Sequence, residues 1–146
     1  MTIQQFWDNY WQQLQKPVPP LPEAFQFGSD ADWLAQLVVE GKKTATCSGH
    51  LFYELENEPL PQVGQYNIVL NASDEPVAII KNVGVMLSPM KEVPIDFALA
   101  EGEGEYHEWW NGHVNFFTAA LAELDLPFTE NLLLVCERFE VLYPAL

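Results

Sequence analysis

Ile3, Phe6, Trp7, Tyr10, Trp11 and Leu14 recur at the spacing i, i+3, i+4, i+7, i+8 and i+11. That spacing predicts a helix with one apolar stripe, Gln, Asp and Asn on its other face, and Thr2 placed to cap it. Pro17, Pro19, Pro20 and Pro22 then fall within six residues, which forces an extended connection. Residues 1–26 read as this helix and a proline-rich strap that lays it on the main domain, residues 27–146. The stripe is expected to bury Trp7 and Trp11 against that domain rather than in a homodimer seam, since so much exposed apolar surface is a liability. A second helix is expected with Ser29 as its cap, Asp30 and Asp32 in its first turn, and Trp33, Leu34, Leu37 and Val38 on its apolar face. Gly41 stops it.

The texture then changes. Thr44 to Tyr53 is rich in Thr and aromatic residues and reads as strand. Gln65 to Asn71 carries the run Ile68-Val69-Leu70. Val77 to Leu87 is a long β-branched run that Gly84 bends or bulges. Turn segments at Pro59–Gly64 and Ala72–Pro76 separate these. Val93 to Ala100 reads as a short helix, Glu105 to Glu123 as a long one, and Leu132 to Tyr143 as a closing strand whose alternation is broken by Glu137. A doubly wound parallel sheet needs strands separated one by one by helices. The order here favours an α+β fold, a small, mostly antiparallel barrel with helices packed on its rim.

Composition narrows the function. The chain has 146 residues, 49% of them apolar and 18% charged, so it can bury one core. Lys plus Arg total 6 against 21 Asp plus Glu, a net charge of −15. Such a surface repels polyphosphate, which excludes avid binding of duplex DNA but not of a short strand or single nucleotide in a local pocket. Cys47 and Cys136 lie in no metal-ligand spacing and read as buried reduced thiols. No metal and no cofactor are expected. The start of the chain lacks the pattern of a signal peptide, and no apolar run approaches the ~20 residues that span a bilayer. A cytoplasmic protein with no membrane partner, monomer or homodimer, is expected.

Three places could carry chemistry. Gly41-Lys42-Lys43-Thr44-Ala45-Thr46 joins two of the six cations where a helix gives way to a strand. The two lysines either complement the helix dipole or point into a cleft. The string is no phosphate loop, which follows a strand and opens a helix. Ala100-Glu101-Gly102-Glu103-Gly104-Glu105 alternates carboxylates with glycines. It is either a solvated acidic loop or the source of a carboxylate held beside Lys43, which would orient the lysine to polarise a carbonyl or stabilise an oxyanion. His113 lies on an aromatic helix face with Trp109 and Trp110, as a core residue or beside a Trp on which a base stacks.

These strings together resemble the ASCH domain family of the PUA-like superfamily. The resemblance is carried by Phe27-Gly28-Ser29 and Gly41–Thr46, by Pro61–Tyr66, by the acidic loop from Phe97 to Gly104, and by Trp109, His113, Phe116 and Phe117 followed by Val135–Phe139. It implies a PUA-like barrel and an association with RNA. Some members are thought to bind RNA, some to cleave it, and small members deacylate acetylated cytidine. In those small amidohydrolases the Lys and second Thr of a Lys-Thr-x-Thr string act with the second Glu of an Ala-Glu-x-Glu string. The matching catalytic positions are Lys43, Thr46 and Glu103, with Lys42, Thr44, Glu101 and Trp109 as substrate-binding candidates. Cys47 and Ser48 stand where the small enzymes carry an Arg soon after the second Thr. Glu105, Tyr106 and His107 stand where many longer members carry a Ser or Thr. Length and the N-terminal helix place the chain nearer the longer, ribonuclease-like members. The leading expectation is a protein that binds single-stranded RNA or a nucleotide unit and hydrolyses it. An amidohydrolase of N(4)-acetylcytidine-type nucleosides and a non-catalytic RNA- or modified-nucleotide-binding module are the alternatives. In each case the lysine pair is expected to form the main positive patch, with Lys81 or Arg138 beside it.

Overall fold

The computed structural model describes residues 1–145; Leu146, counted above with the main domain, lies outside the described residues. Strands β1 (Ala24–Gln26), β2 (Ala45–Gly49), β3 (Tyr66–Leu70), β4 (Pro76–Pro89) and β5 (Leu133–Tyr143) form one sheet in the order β1-β3-β4-β5-β2. The β1–β3 pairing is parallel and the others are antiparallel. Five helices surround it: α1 (Ile3–Gln13), α2 (Ala31–Val39), α3 (His50–Glu56), α4 (Ile95–Ala100) and α5 (Tyr106–Ala122). β1 and β2 are opposite edges of the sheet, yet residues of both line one cavity. The sheet therefore curls on itself, which gives the α+β, barrel-like fold with helices on its rim.

Alternation of side chains explains how both faces are covered. On β3 and β4, Ile68, Leu70 and Ile79 pack with Trp7 and Trp11 of α1, while Val69, Ala78 and Ile80 pack with Leu34, Leu37 and Val38 of α2. On β5, Phe139 joins the α2 cluster, and Leu134 and Cys136 join Phe97, Trp109 and Phe117 of α4 and α5. Strands buried on both sides read as unbroken apolar runs. The register of β4 slips between Asn82 and Gly84, a bulge at the glycine picked out in the sequence.

α1 forms as its stripe predicts, with a reciprocal Thr2–Gln5 capping box. Trp7 is wholly buried, and its indole Nε1–H donates to the Pro19 carbonyl at 2.8 Å, so the strap supplies the acceptor that a buried indole needs. Three readings are corrected. Asp30, not Ser29, caps α2 through its carboxylate. Trp33 faces outward, 46% exposed. The strand expected to Tyr53 ends at Gly49 and turns directly into α3, where His50 and Glu54 pair at i, i+4 and Asn57 closes the helix in the left-handed conformation.

Candidate functional site

The site begins where α2 unwinds. Gly41 adopts φ +76°, and the N–H groups of Lys42 and Lys43 both reach back to the Leu37 carbonyl. The chain is still turning at Lys43, and β2 starts only at Ala45. Thr44 N–H then donates to the Ala100 carbonyl at 2.8 Å, which ties this turn to the acidic loop. Gly102 sits at φ +75° with the Lys42 carbonyl where a β-carbon would stand, so any side chain there would collide with backbone. The glycine between Glu101 and Glu103 is what lets both carboxylates close on Lys43.

Lys43 is 1% exposed. Its Nζ donates to Glu101 Oε1 at 3.2 Å and Glu103 Oε2 at 3.4 Å, and lies 5.2 Å from the centre of the Phe27 ring. The other Glu101 oxygen accepts from Trp109 Nε1–H at 2.6 Å and from the Cys47 thiol at 3.3 Å, and it faces His113 Nε2 at 3.3 Å. His113 Nδ1 meets the Trp109 carbonyl at 2.8 Å. Both imidazole nitrogens thus face acceptors, the arrangement that suits the protonated ring.

These contacts move the protonation equilibria. Burial alone raises the Glu101 pKa, but the His113 hydrogen bond, the Lys43 and His113 charges and the Trp109 N–H outweigh it and hold the carboxyl at about 2. For His113, burial lowers the pKa, and the bond to Glu101 with the charges of Glu101 and Glu103 raises it further than burial lowers it. Glu103 moves upward: burial raises it, Lys43 lowers it, and the Glu101 charge raises it again. Burial and the Glu101 charge push the Cys47 thiol well above its usual range, so it is a hydrogen-bond donor and no nucleophile. Burial carries Cys136 up to about 12.

Lys43, Thr46, Glu101 and Glu103 all line one cavity of about 910 Å³. The other candidates lie outside its walls among the described residues. Lys42 is exposed and pairs with Glu40 at 3.6 Å, and Thr44 Oγ1 turns to the Ala100 carbonyl. Trp109 is 1% exposed with its N–H spent on Glu101, so it positions the carboxylate and offers no open face to a base. The expected lysine pair is split, with Lys42 exposed and Lys43 buried. Lys43 is buried between carboxylates, and Arg138 is held by Asp96 at 3.1 Å over the Phe97 ring. Ser48, His50 and Glu54 form no catalytic triad, because Ser48 bonds Tyr53 while His50 bonds Glu54 on the surface of α3.

Cys47, Glu101 and His113 offer ligand atoms within 4.8 Å of one another. Their shared oxygen already faces three donors and its carboxylate already holds Lys43, so a cation would meet an indole N–H and an ammonium. The same spacing at Glu105, His107 and Glu108 is wholly exposed. Sequence reasoning missed the wall carboxylates Glu23, Glu58 and Glu108, and gave Glu137 no role. Glu137 lies on β5 across from Thr46, and its traces were the broken alternation of that strand and the Val135–Phe139 string.

An ASCH domain family model matches residues 23–143. The fold matches a crystal structure from Enterococcus faecalis V583, of the family DUF984, at 39% identity and TM-score 0.87, covering 96% of this chain and 87% of that one. It also matches the crystal structure of an ASCH domain from Lactobacillus crispatus JV V101 at 33% identity and TM-score 0.85, covering 94% and 92%. No curated protein matches. No helix among the described residues is long and apolar enough to cross a membrane. A motif match over most of the chain, the curled sheet and the lysine–glutamate turn agree: the chain belongs to the ASCH domain family, a family associated with RNA.

Proposed function

We propose that the protein hydrolyses an amide on an uncharged ligand of nucleoside size, of the N(4)-acylcytidine type, with Lys43, Thr46 and Glu103 as its catalytic residues. The observation that carries this reading is Lys43, buried between Glu101 and Glu103 in a cavity that Thr46 also lines. The charge of the cavity favours it over the ribonuclease-like reading that the sequence put first. Glu23, Glu58, Glu101, Glu103, Glu108 and Glu137 line it, against Lys43 and His113, both of which already face Glu101. A phosphodiester strand needs free cations, and a neutral base or nucleoside does not.

The arrangement supports the following chemistry. Two of the three Lys43 N–H groups are held by Glu101 and Glu103, and the third can meet a carbonyl oxygen and stabilise the oxyanion that forms there. Glu103, with its pKa raised, takes the Thr46 hydroxyl proton as the oxygen attacks the amide carbon. The C–N bond breaks, Glu103 passes that proton to the leaving nitrogen, and the acyl group rests on Thr46 as an ester. Water then attacks the ester with Glu103 again as base, releasing a carboxylic acid and restoring Thr46. One water is consumed per amide.

The test offers the purified full chain N(4)-acetylcytidine, related acyl nucleosides and short single-stranded RNA, with products separated by chromatography. Deacylation that is insensitive to salt, and lost in Lys43→Met, Thr46→Val and Glu103→Gln, is expected. RNA cleavage without deacylation, or deacylation untouched by these substitutions, would overturn the reading.

A further inference from the structure

The cavity holds a further polar group, Glu137. Glu137 and Thr46 are register partners on neighbouring antiparallel strands, so their side chains leave the same face of the sheet side by side. Asn82, 2% exposed and seated at the β4 bulge, donates Nδ2–H to Glu137 Oε1 at 3.0 Å. Glu137 Oε2 has no hydrogen-bond partner among the described residues, and it is not sealed in the core. Glu137 is one of the residues that line the cavity. The nearby Tyr53 hydroxyl is taken by Ser48 at 2.9 Å. Phe27, Trp33, Phe52 and Phe116 line the same cavity and supply flat apolar surface. A half-held carboxyl in a cavity with aromatic walls has the make-up of a recognition element.

We propose that Glu137 determines specificity by accepting, through Oε2, an N–H from the amino-bearing edge of a nucleobase, and so rejects a ring with a carbonyl at that position. This rests on the amidohydrolase reading. In an N-acyl base the nitrogen that still carries a hydrogen is bonded to the carbonyl carbon under attack. The group that attacks that carbon and the group that accepts that hydrogen must therefore be neighbours, as Thr46 and Glu137 are. Asn82 adds direction: by donating to Oε1 it turns the other oxygen to the ligand. A carbonyl placed against a carboxylate meets acceptor with acceptor, which a buried site does not forgive.

The probes are cytidine, with an amino group at the reading position, and uridine, with a carbonyl there. Their affinities for the full chain are measured by calorimetry and as inhibition of deacylation. Wild type is expected to bind cytidine at least ~10-fold more tightly than uridine, the scale of one charge-assisted hydrogen bond. In Glu137→Gln, Asn82 still claims the amide oxygen, so an NH2 donor faces the ligand. Cytidine affinity then falls ~10-fold or more and the preference disappears or inverts. Asn82→Ala, which frees the carboxyl to turn, weakens the preference in part. The wild-type ratio needs no variant to fold, and equal binding of the two nucleosides overturns the proposal, as does an undiminished preference in a folded Glu137→Gln protein. Deacylation without base preference removes this subsite and leaves the catalytic reading intact. A Glu137-dependent preference with no deacylation does the reverse.

Discussion

Lys43 and Glu137 line one cavity, and the fold treats them in opposite ways. Around Lys43 the charged groups hold one another: Lys43 has two carboxylates, and Glu101 has donors on both oxygens. At Glu137 one oxygen is held and the other is left open. Breaking the first set strands a buried charge. Neutralising the second removes a charge that never had a full set of partners.

The largest effect is expected from Lys43→Ala. It leaves Glu101 and Glu103 facing each other across a buried gap, and losing one partner of a buried pair costs about 3–5 kcal/mol. Urea unfolding should show that loss together with complete loss of turnover. A variant as stable as wild type would mean that the groups around Lys43 are not held by their charges.

Glu101→Gln sharpens the same point through pH. The folded pKa of Glu101 lies at about 2, below its ordinary 4.5. A depressed acid contributes stability that is complete above the ordinary value and is lost as pH falls through the folded one. His113 is raised above its ordinary 6.5, so its share is complete below that value and fades as pH rises through the raised one. Between 4.5 and 6.5 the network is whole. Wild type should there exceed Glu101→Gln by about 3 kcal/mol, and the gap should close as pH approaches 2. A gap that does not change with pH would assign the loss to packing.

How much of this could be read from the sequence follows from which groups are local. α1 is visible because its stripe and cap lie within fourteen residues, and the β4 bulge is visible because one glycine interrupts a β-branched run. Lys43, Thr46 and Glu103 are visible through their motifs. α3 is hidden because Phe52 and Tyr53 favour strand as readily as helix, and nothing marks its start beyond Gly49. β1 has three residues, too few for a pattern, and exists because β3 lies parallel beside it. The Glu101, Trp109 and His113 network joins a loop to a helix face, and Glu137 meets Thr46 only through the β2–β5 register. No spacing along the chain encodes such meetings.

Glu103→Gln separates chemistry from stability around Lys43. The Glu103 side chain is 20% exposed, and Glu101 remains to pair Lys43. Stability should change by no more than about 1 kcal/mol, because the pair it gives up is partly solvated. Turnover should fall by roughly 10²–10⁴, the usual worth of a proton-transfer group. Urea midpoints and single-turnover rates on one preparation test both halves. A large stability loss with modest loss of rate would make Glu103 a structural partner like Glu101.

The smallest change should carry the opposite sign. Burial raises the folded pKa of Glu137, and the Asn82 bond offsets this only in part. A raised acid favours the folded state while protonated; that share is intact below the ordinary 4.5 and is lost as pH rises through the folded value. Above it, wild type carries a partly desolvated carboxylate that Glu137→Gln lacks, while Asn82 keeps its acceptor in both. The two proteins should unfold alike near about pH 4, and the variant should be more stable near about pH 8, by less than about 1 kcal/mol. Such a gain, paired with lost discrimination between cytidine and uridine, marks a residue kept for recognition at a cost to the fold. Destabilisation near about pH 8 would place Glu137 with Glu101 among the structural carboxylates, and the two carboxyls would then differ in position only.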